Sequence, residues 1–106
     1  MAKYLVKVNY TADGTKGLLK DGGTGRRAVV TKATEALGGK VEAFYYALGS
    51  TDAFLILDAP DATSAAALSM AVNSTGAVRI ELTPLLTCEE IDAAAHRTVS
   101  YTKPGA

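Results

Sequence analysis

Residues Ala53–Leu57 form an unbroken apolar run, and they follow an apolar arm, Val41–Leu48, across the turn-forming residues Gly49-Ser50-Thr51-Asp52. Two such arms over a short turn predict a β-hairpin. Successive apolar residues in the second arm predict a strand covered on both faces. Helices can cover one of them. In a chain of 106 residues, near the usual size of one domain and able to bury one modest core, little remains to cover the other. A second copy of the chain is therefore the expected cover, as a homodimer or a higher homo-oligomer.

Eleven Lys and Arg residues balance eleven Asp and Glu residues, so there is no electrostatic footprint of the kind that nucleic acids or acidic membranes select. Neither partner is expected. The segment Met1-Ala2-Lys3-Tyr4 enters an alternating pattern with no basic stretch, apolar leader region or cleavage site, and no apolar run approaches bilayer length. A soluble, cytoplasmic protein is the expectation. The one cysteine, Cys88, and the one histidine, His96, leave no internal disulfide and no cluster of metal ligands. No metal and no cofactor is expected.

Lys3–Tyr10 alternates Tyr4, Val6, Val8 and Tyr10 against Lys3, Leu5, Lys7 and Asn9, the period of a strand. The glycines and Asp13-Gly14 between Thr11 and Gly25 predict a loop with at most one helical turn. A helix is expected from Thr24 or Gly25 to Gly38-Gly39, with Arg26, Val29, Val30, Ala33, Ala36 and Leu37 on its buried face. After the hairpin, Asp61 is placed to cap a second helix that Gly76 closes, packing through Ala65, Leu68, Ala71 and Val72. Ala77–Leu82 alternates as a fourth strand, which Pro84 is expected to end because proline has no amide to donate. Thr87-Cys88-Glu89-Glu90 has the spacing of a capping box and starts a short third helix running to about Thr98.

The order predicts an α+β, ferredoxin-like βαββαβ antiparallel sheet with a C-terminal helix, in one domain over residues 1–98 with a tail at 99–106. With right-handed crossovers, one end of the sheet gathers Tyr10, Gly25-Arg26, the Gly49–Asp52 turn and Ala77-Val78-Arg79.

Lys3-Tyr4-Leu5-Val6, Gly38-Gly39-Lys40-Val41-Glu42-Ala43-Phe44-Tyr45, the turn Gly49–Asp52, and Val78-Arg79 with Thr83-Pro84-Leu85-Leu86-Thr87 resemble the GYD-domain family over nearly the whole chain. The resemblance implies a short bacterial or archaeal protein of the dimeric α/β-barrel kind, two subunits pressing their sheets together, with no settled activity. The family's Gly, variable residue, Tyr and Asp map to Gly49, Ser50, Thr51 and Asp52. Thr51 therefore replaces the motif tyrosine, and Cys88 stands where relatives often carry proline.

Gly22-Gly23-Thr24-Gly25-Arg26-Arg27 is a candidate anion site, because glycines let amides converge at a helix start and two arginines can grip a carboxylate or phosphate. It lacks the ending of a nucleotide loop. The same stretch also reads as a connector whose arginines pair with Asp21, Asp52 or a partner subunit. Gly49 and Asp52 read as turn formers; alternatively Asp52 is a general base aimed at Arg26 or Arg79. Tyr10 joins the candidate ligand residues, and Tyr45 and Tyr46 must point to opposite faces. Lys7, Arg79 and Glu81 are expected in an ion-pair network on a covered face. His96 reads as a helix-terminal surface residue or as a partner for Asp92, and Cys88 as a residue of the capping turn.

The leading expectation is a homo-oligomeric binder of a small anionic or polar-aromatic molecule. Its cavity would form at the sheet-to-sheet interface, entered at the Arg26/Asp52 end. A cofactor-free monooxygenase or isomerase with Asp52 as base, and a structural or regulatory oligomer without ligand, are the alternatives.

Overall fold

The computed structural model describes residues 2–106, so the predicted strand entry at Met1 lies outside them. The elements are β1 (Ala2–Tyr10), α1 (Ala12–Ala36), β2 (Lys40–Tyr46), β3 (Ala53–Ala59), α2 (Ala62–Asn73), β4 (Val78–Leu85) and α3 (Cys88–Ala95). The strands form one antiparallel sheet in the order β2-β3-β1-β4. This is the α+β ferredoxin-like arrangement that the alternating segments predict.

Tyr4, Val6 and Val8 of β1, Ala53, Leu55, Leu57 and Ala59 of β3, and Ile80 of β4 are buried on one face with Ala65 and Leu68 of α2. That face carries the main core. On the opposite face the pairings bring together Leu5, Ile56 and Thr83 in one row and Lys7, Phe54, Tyr45 and Glu81 in the next. No element of the chain is buried over them, and Phe54 is 37% exposed. The two-sided cover expected for β3 is therefore supplied on one side only within a single chain.

Three local expectations are corrected. Residues 12–21 are helical rather than a loop, because the Thr11 side chain accepts a hydrogen bond from the Gly14 amide and caps the helix directly after β1. The glycines do leave a mark: Gly22 sits at φ 77°, a left-handed conformation that breaks α1 into two segments. Next, Pro84 lies inside β4, opposite Tyr4. β4 is an edge strand, and Ile80, which has the same parity as Pro84, turns its amide and carbonyl outward to the Asn73 side chain. Pro84 thus occupies a position where no ladder amide is needed.

The third correction concerns the face of α1. Thr34 is buried while Val30, Thr31 and Arg26 are half-buried, and Val29, Ala33, Ala36 and Leu37 are exposed. A hydroxyl is admitted to the core because Thr34 Oγ1 donates to the Val30 carbonyl at 2.8 Å. The helix is thereby rotated so that Val29 and Ala33 face sideways, toward α2. The other caps match the sequence: Asp61 accepts from the Ser64 amide, Gly38 and Gly76 follow their helices at φ 82° and 74°, and both halves of the Thr87/Glu90 capping box are formed. α3 ends at Ala95, short of Thr98.

Candidate functional site

The end of the sheet where β1 finishes is built by a clasp. The Asp52 amide donates to the Val8 carbonyl at 2.8 Å and to Asn9 Oδ1 at 3.3 Å, and Asp52 Oδ2 accepts the Tyr10 amide at 2.8 Å. Asp52 also accepts the Ala47 amide through its carbonyl at 2.8 Å. Its carboxylate is engaged in fixing the hairpin to the last residue of β1, which positions the Tyr10 ring.

From this end a hollow runs over the helix-covered face of the sheet. α1 lies over the β2 side and α2 over the β4 side, and their facing surfaces do not close. The floor is Val6, Val8, Leu55, Leu57, Val78 and Ile80, and the walls include Val29, Val30 and Ala33 of α1 and Leu68 and Val72 of α2. The polar side chains on this hollow are Tyr10 and Arg26. The cavity measures about 90 Å³, and a wider groove of about 430 Å³ shares Tyr10, Arg26, Val29, Leu68 and Val72 with it and is lined as well by Asp13, Asp21 and Thr75. Val29, 51% exposed, lines both spaces together with Leu68 and Val72 of α2.

Arg26 makes one long ion pair, Nη1 to Asp21 Oδ2 at 3.6 Å, and keeps donors available for an anion. Burial pushes the Tyr10 phenol up from 10.0 to about 12, with the nearby Tyr46 phenol adding to the rise and Arg26 opposing it. Tyr10 therefore stays a neutral hydrogen-bond donor. The unfolded chain releases this proton above pH 10 while the folded chain holds it to about 12, so Tyr10's contribution to stability is complete below pH 10 and is lost as pH rises through that window. In a phenolate absorbance titration, Tyr10 should contribute a step near pH 12. Tyr10→Phe should remove that step and flatten the loss of stability between pH 10 and 12. An unchanged step near pH 12 in the variant would refute the assignment.

On the other side of the α1 break, a hollow of about 410 Å³ is lined by Tyr10, Leu18, Gly23, Tyr46, Leu48 and Asp52, among others. The Tyr46 hydroxyl donates to the Gly23 carbonyl at 3.1 Å, and a side chain at Gly23 would press on the Tyr46 ring. Tyr46 reaches this side through a register shift between Val41 and Ala43, which leaves Tyr45 on the open sheet face.

The sequence-predicted residues thus divide. Tyr10 and Arg26 meet on the helix-side groove, while Tyr10, Gly23 and Asp52 surround the neighbouring hollow. Gly25 lies within the α1 segment that follows the Gly22 break, Arg27 is exposed, Gly49 sits at the open hairpin tip, and Arg79 pairs with Asn9 in register, on the opposite sheet face. The hollows described here lie beside the helices, away from the sheet face expected to form a shared cavity. Val29, Leu68, Val72 and Tyr46 were not among the candidates. Apolar residues at helical spacing signal packing, and nothing in that spacing separates a closed helix pair from an open one.

Within the single chain and among the described residues, Lys7, Arg79 and Glu81 form no ion pair, and Lys3 does: its Nζ lies 2.7 Å from Glu42 and 3.1 Å from Asp58. Those hydrogen bonds, Glu42 first, raise the Lys3 pKa. His96 Nδ1 donates to the Asp92 carbonyl oxygen at 2.7 Å rather than to its carboxylate. Among the described residues, no three His, Cys, Asp or Glu side chains gather as a metal set, and no helix is long and apolar enough to cross a membrane.

The family model described as GYD domain matches residues 4–95. No curated protein and no solved structure matches the chain.

Proposed function

The chain belongs to the GYD-domain family, and we propose that it is a bacterial, cytoplasmic homodimer that binds an apolar, preferably aromatic, small molecule carrying a carboxylate or similar anionic group. The ligand lies between α1 and α2 with its anion on Arg26 and its apolar body over Val6, Val8, Leu55 and Leu57. One observation carries this reading: the cavity over the helix-covered sheet face has apolar walls, with Tyr10 and Arg26 as its polar side chains. A mostly apolar concavity with a few convergent polar groups is the usual form of a small-molecule site, and the wider groove that shares Tyr10 and Arg26 with the cavity adds Asp13 and Asp21. The uncovered sheet face, with Leu5, Ile56 and Phe54, supports the dimer.

The test is a thermal-shift and calorimetric panel of aromatic and aliphatic carboxylates beside their neutral amides. A carboxylate bound only by the folded protein should raise its melting temperature. Arg26→Met should weaken that binding about 10- to 100-fold, the loss of one charge-assisted hydrogen bond of about 1.5–3 kcal/mol, without lowering the melting temperature of the free protein. No shift with any carboxylate, or equal affinity in Arg26→Met, would end the proposal. The protonated Tyr10 beside Arg26 favours a second reading, a cofactor-free enzyme stabilising an enolate or oxyanion. Chemical alteration of the bound carboxylate on incubation would separate that enzyme from a binder.

A further inference from the structure

The groove of about 430 Å³ is not apolar along its whole length. Where the first segment of α1 borders it, the lining includes Asp13, Gly17 and Asp21, which follow one another at intervals of four residues and so share one face of the helix. Asp21 stands just before the left-handed Gly22 and Arg26 shortly after it, and their side chains meet across the break at 3.6 Å. The charged side chains on the groove are therefore two carboxylates and one guanidinium.

A ligand whose only charge is negative meets that set badly. To take the Arg26 donors it must displace Asp21, and it then holds its own carboxylate beside that of Asp21, a like-charge contact. A cationic group on the same ligand removes the conflict. With an ammonium two bonds from its carboxyl carbon, a ligand can set the ammonium on Asp21 while the carboxylate sits on Arg26, so each protein charge exchanges one long contact for a charge-assisted hydrogen bond.

Gly17 supplies the room. Glycine is unfavourable inside a helix, yet a side chain here would meet nothing within 4 Å, so no packing contact calls for it. Its effect is to leave the strip between Asp13 and Asp21 open to the groove. The adjoining cavity of about 90 Å³, with Val29, Leu68 and Val72 common to both spaces, takes one apolar side chain.

We infer that the ligand is a zwitterion, an α-amino acid with an apolar side chain, its carboxylate on Arg26 and its ammonium on Asp21. This rests on the reading of Arg26 as the carboxylate anchor given above and narrows it, since Asp21 then selects amino acids over plain carboxylates.

The test is calorimetry on the full chain with leucine and phenylalanine. Each is set beside the molecule that lacks its ammonium, isocaproate or hydrocinnamate, and the one that lacks its carboxylate, isoamylamine or phenethylamine. At least one amino acid should bind about 10- to 100-fold more tightly than its deaminated counterpart. Asp21→Asn, at an exposed position, should abolish that preference, while the deaminated counterpart binds as tightly as before or more tightly because Arg26 has lost its internal partner. A deaminated carboxylate that matches or exceeds its amino acid in the unaltered chain overturns the zwitterion and leaves the carboxylate reading standing. A preference that survives Asp21→Asn overturns the seat of the ammonium on Asp21. An amine that binds as well as its amino acid, or no binding by any of the six, overturns the carboxylate reading and the zwitterion with it.

Discussion

Gly14→Ala is expected to lower the melting temperature by roughly 10–20 °C, while Gly17→Ala, three residues along the same helix, raises it by a few degrees. The first turn of α1 rests on the start of β4, where the Thr11 amide and hydroxyl both donate to the Ala77 carbonyl at 3.0 and 3.1 Å. A methyl group at Gly14 would overlap that carbonyl oxygen and come within 3.2 Å of the Tyr10 ring. Backbone cannot yield as a side-chain end can. Relief requires α1 to swing off β4, losing both hydrogen bonds, and overpacking of this kind costs about 1–3 kcal/mol. At about 4–8 °C per kcal/mol for a small domain, the shift is readily seen. A side chain at Gly17 meets nothing within 4 Å, so alanine there gains helix propensity of about 1 kcal/mol with no opposing clash. The two variants share chemistry and helix, so opposite signs by calorimetry isolate the contact with Ala77; equal signs would refute it.

That contact also shows where sequence reading loses resolution. The strand order, Asp61, the capping box and the glycines after α1 and α2 were legible because each depends on a few neighbouring residues and a short-range rule. Helix 12–21 was not, since Gly14, Gly17 and Gly22 argue locally for a loop while Thr11 and the packing of Gly14 on Ala77 decide the matter across 66 residues. The position of Pro84 depends on β4 being an edge, a fact about the whole sheet. The Lys3–Glu42 ion pair goes with the irregularity between Val41 and Ala43, at which Glu42 lies, whereas Lys3 and Asp58 are direct partners in register. Of the candidate site, the gathering of Tyr10, Arg26 and Asp52 near one sheet end followed from connectivity. The groove did not, because the burial of Thr34 fixes how far α1 turns from α2.

Ile56→Asp is expected to convert the proposed homodimer to a folded monomer at micromolar concentration. Ile56 is half-buried at the centre of the open sheet face, beside Leu5 on β1 and Ala43 on β2. Its side chain points away from the core that Leu55 and Leu57 build, so the fold of one chain does not depend on it. In a two-fold dimer the position occurs twice on the interface. Each copy loses about 1.5–3 kcal/mol of apolar burial and must either desolvate a carboxylate or hold the surfaces apart. A total of about 6 kcal/mol corresponds to roughly ten-thousand-fold weaker association. The next row holds both Lys7 and Glu81, so Ile56→Lys, which brings the opposite charge to the same position, should dissociate the dimer as Ile56→Asp does. Sedimentation equilibrium measures the mass and circular dichroism the retained fold. Unchanged association in both variants, with the fold intact, would place the interface elsewhere and leave this sheet face facing water.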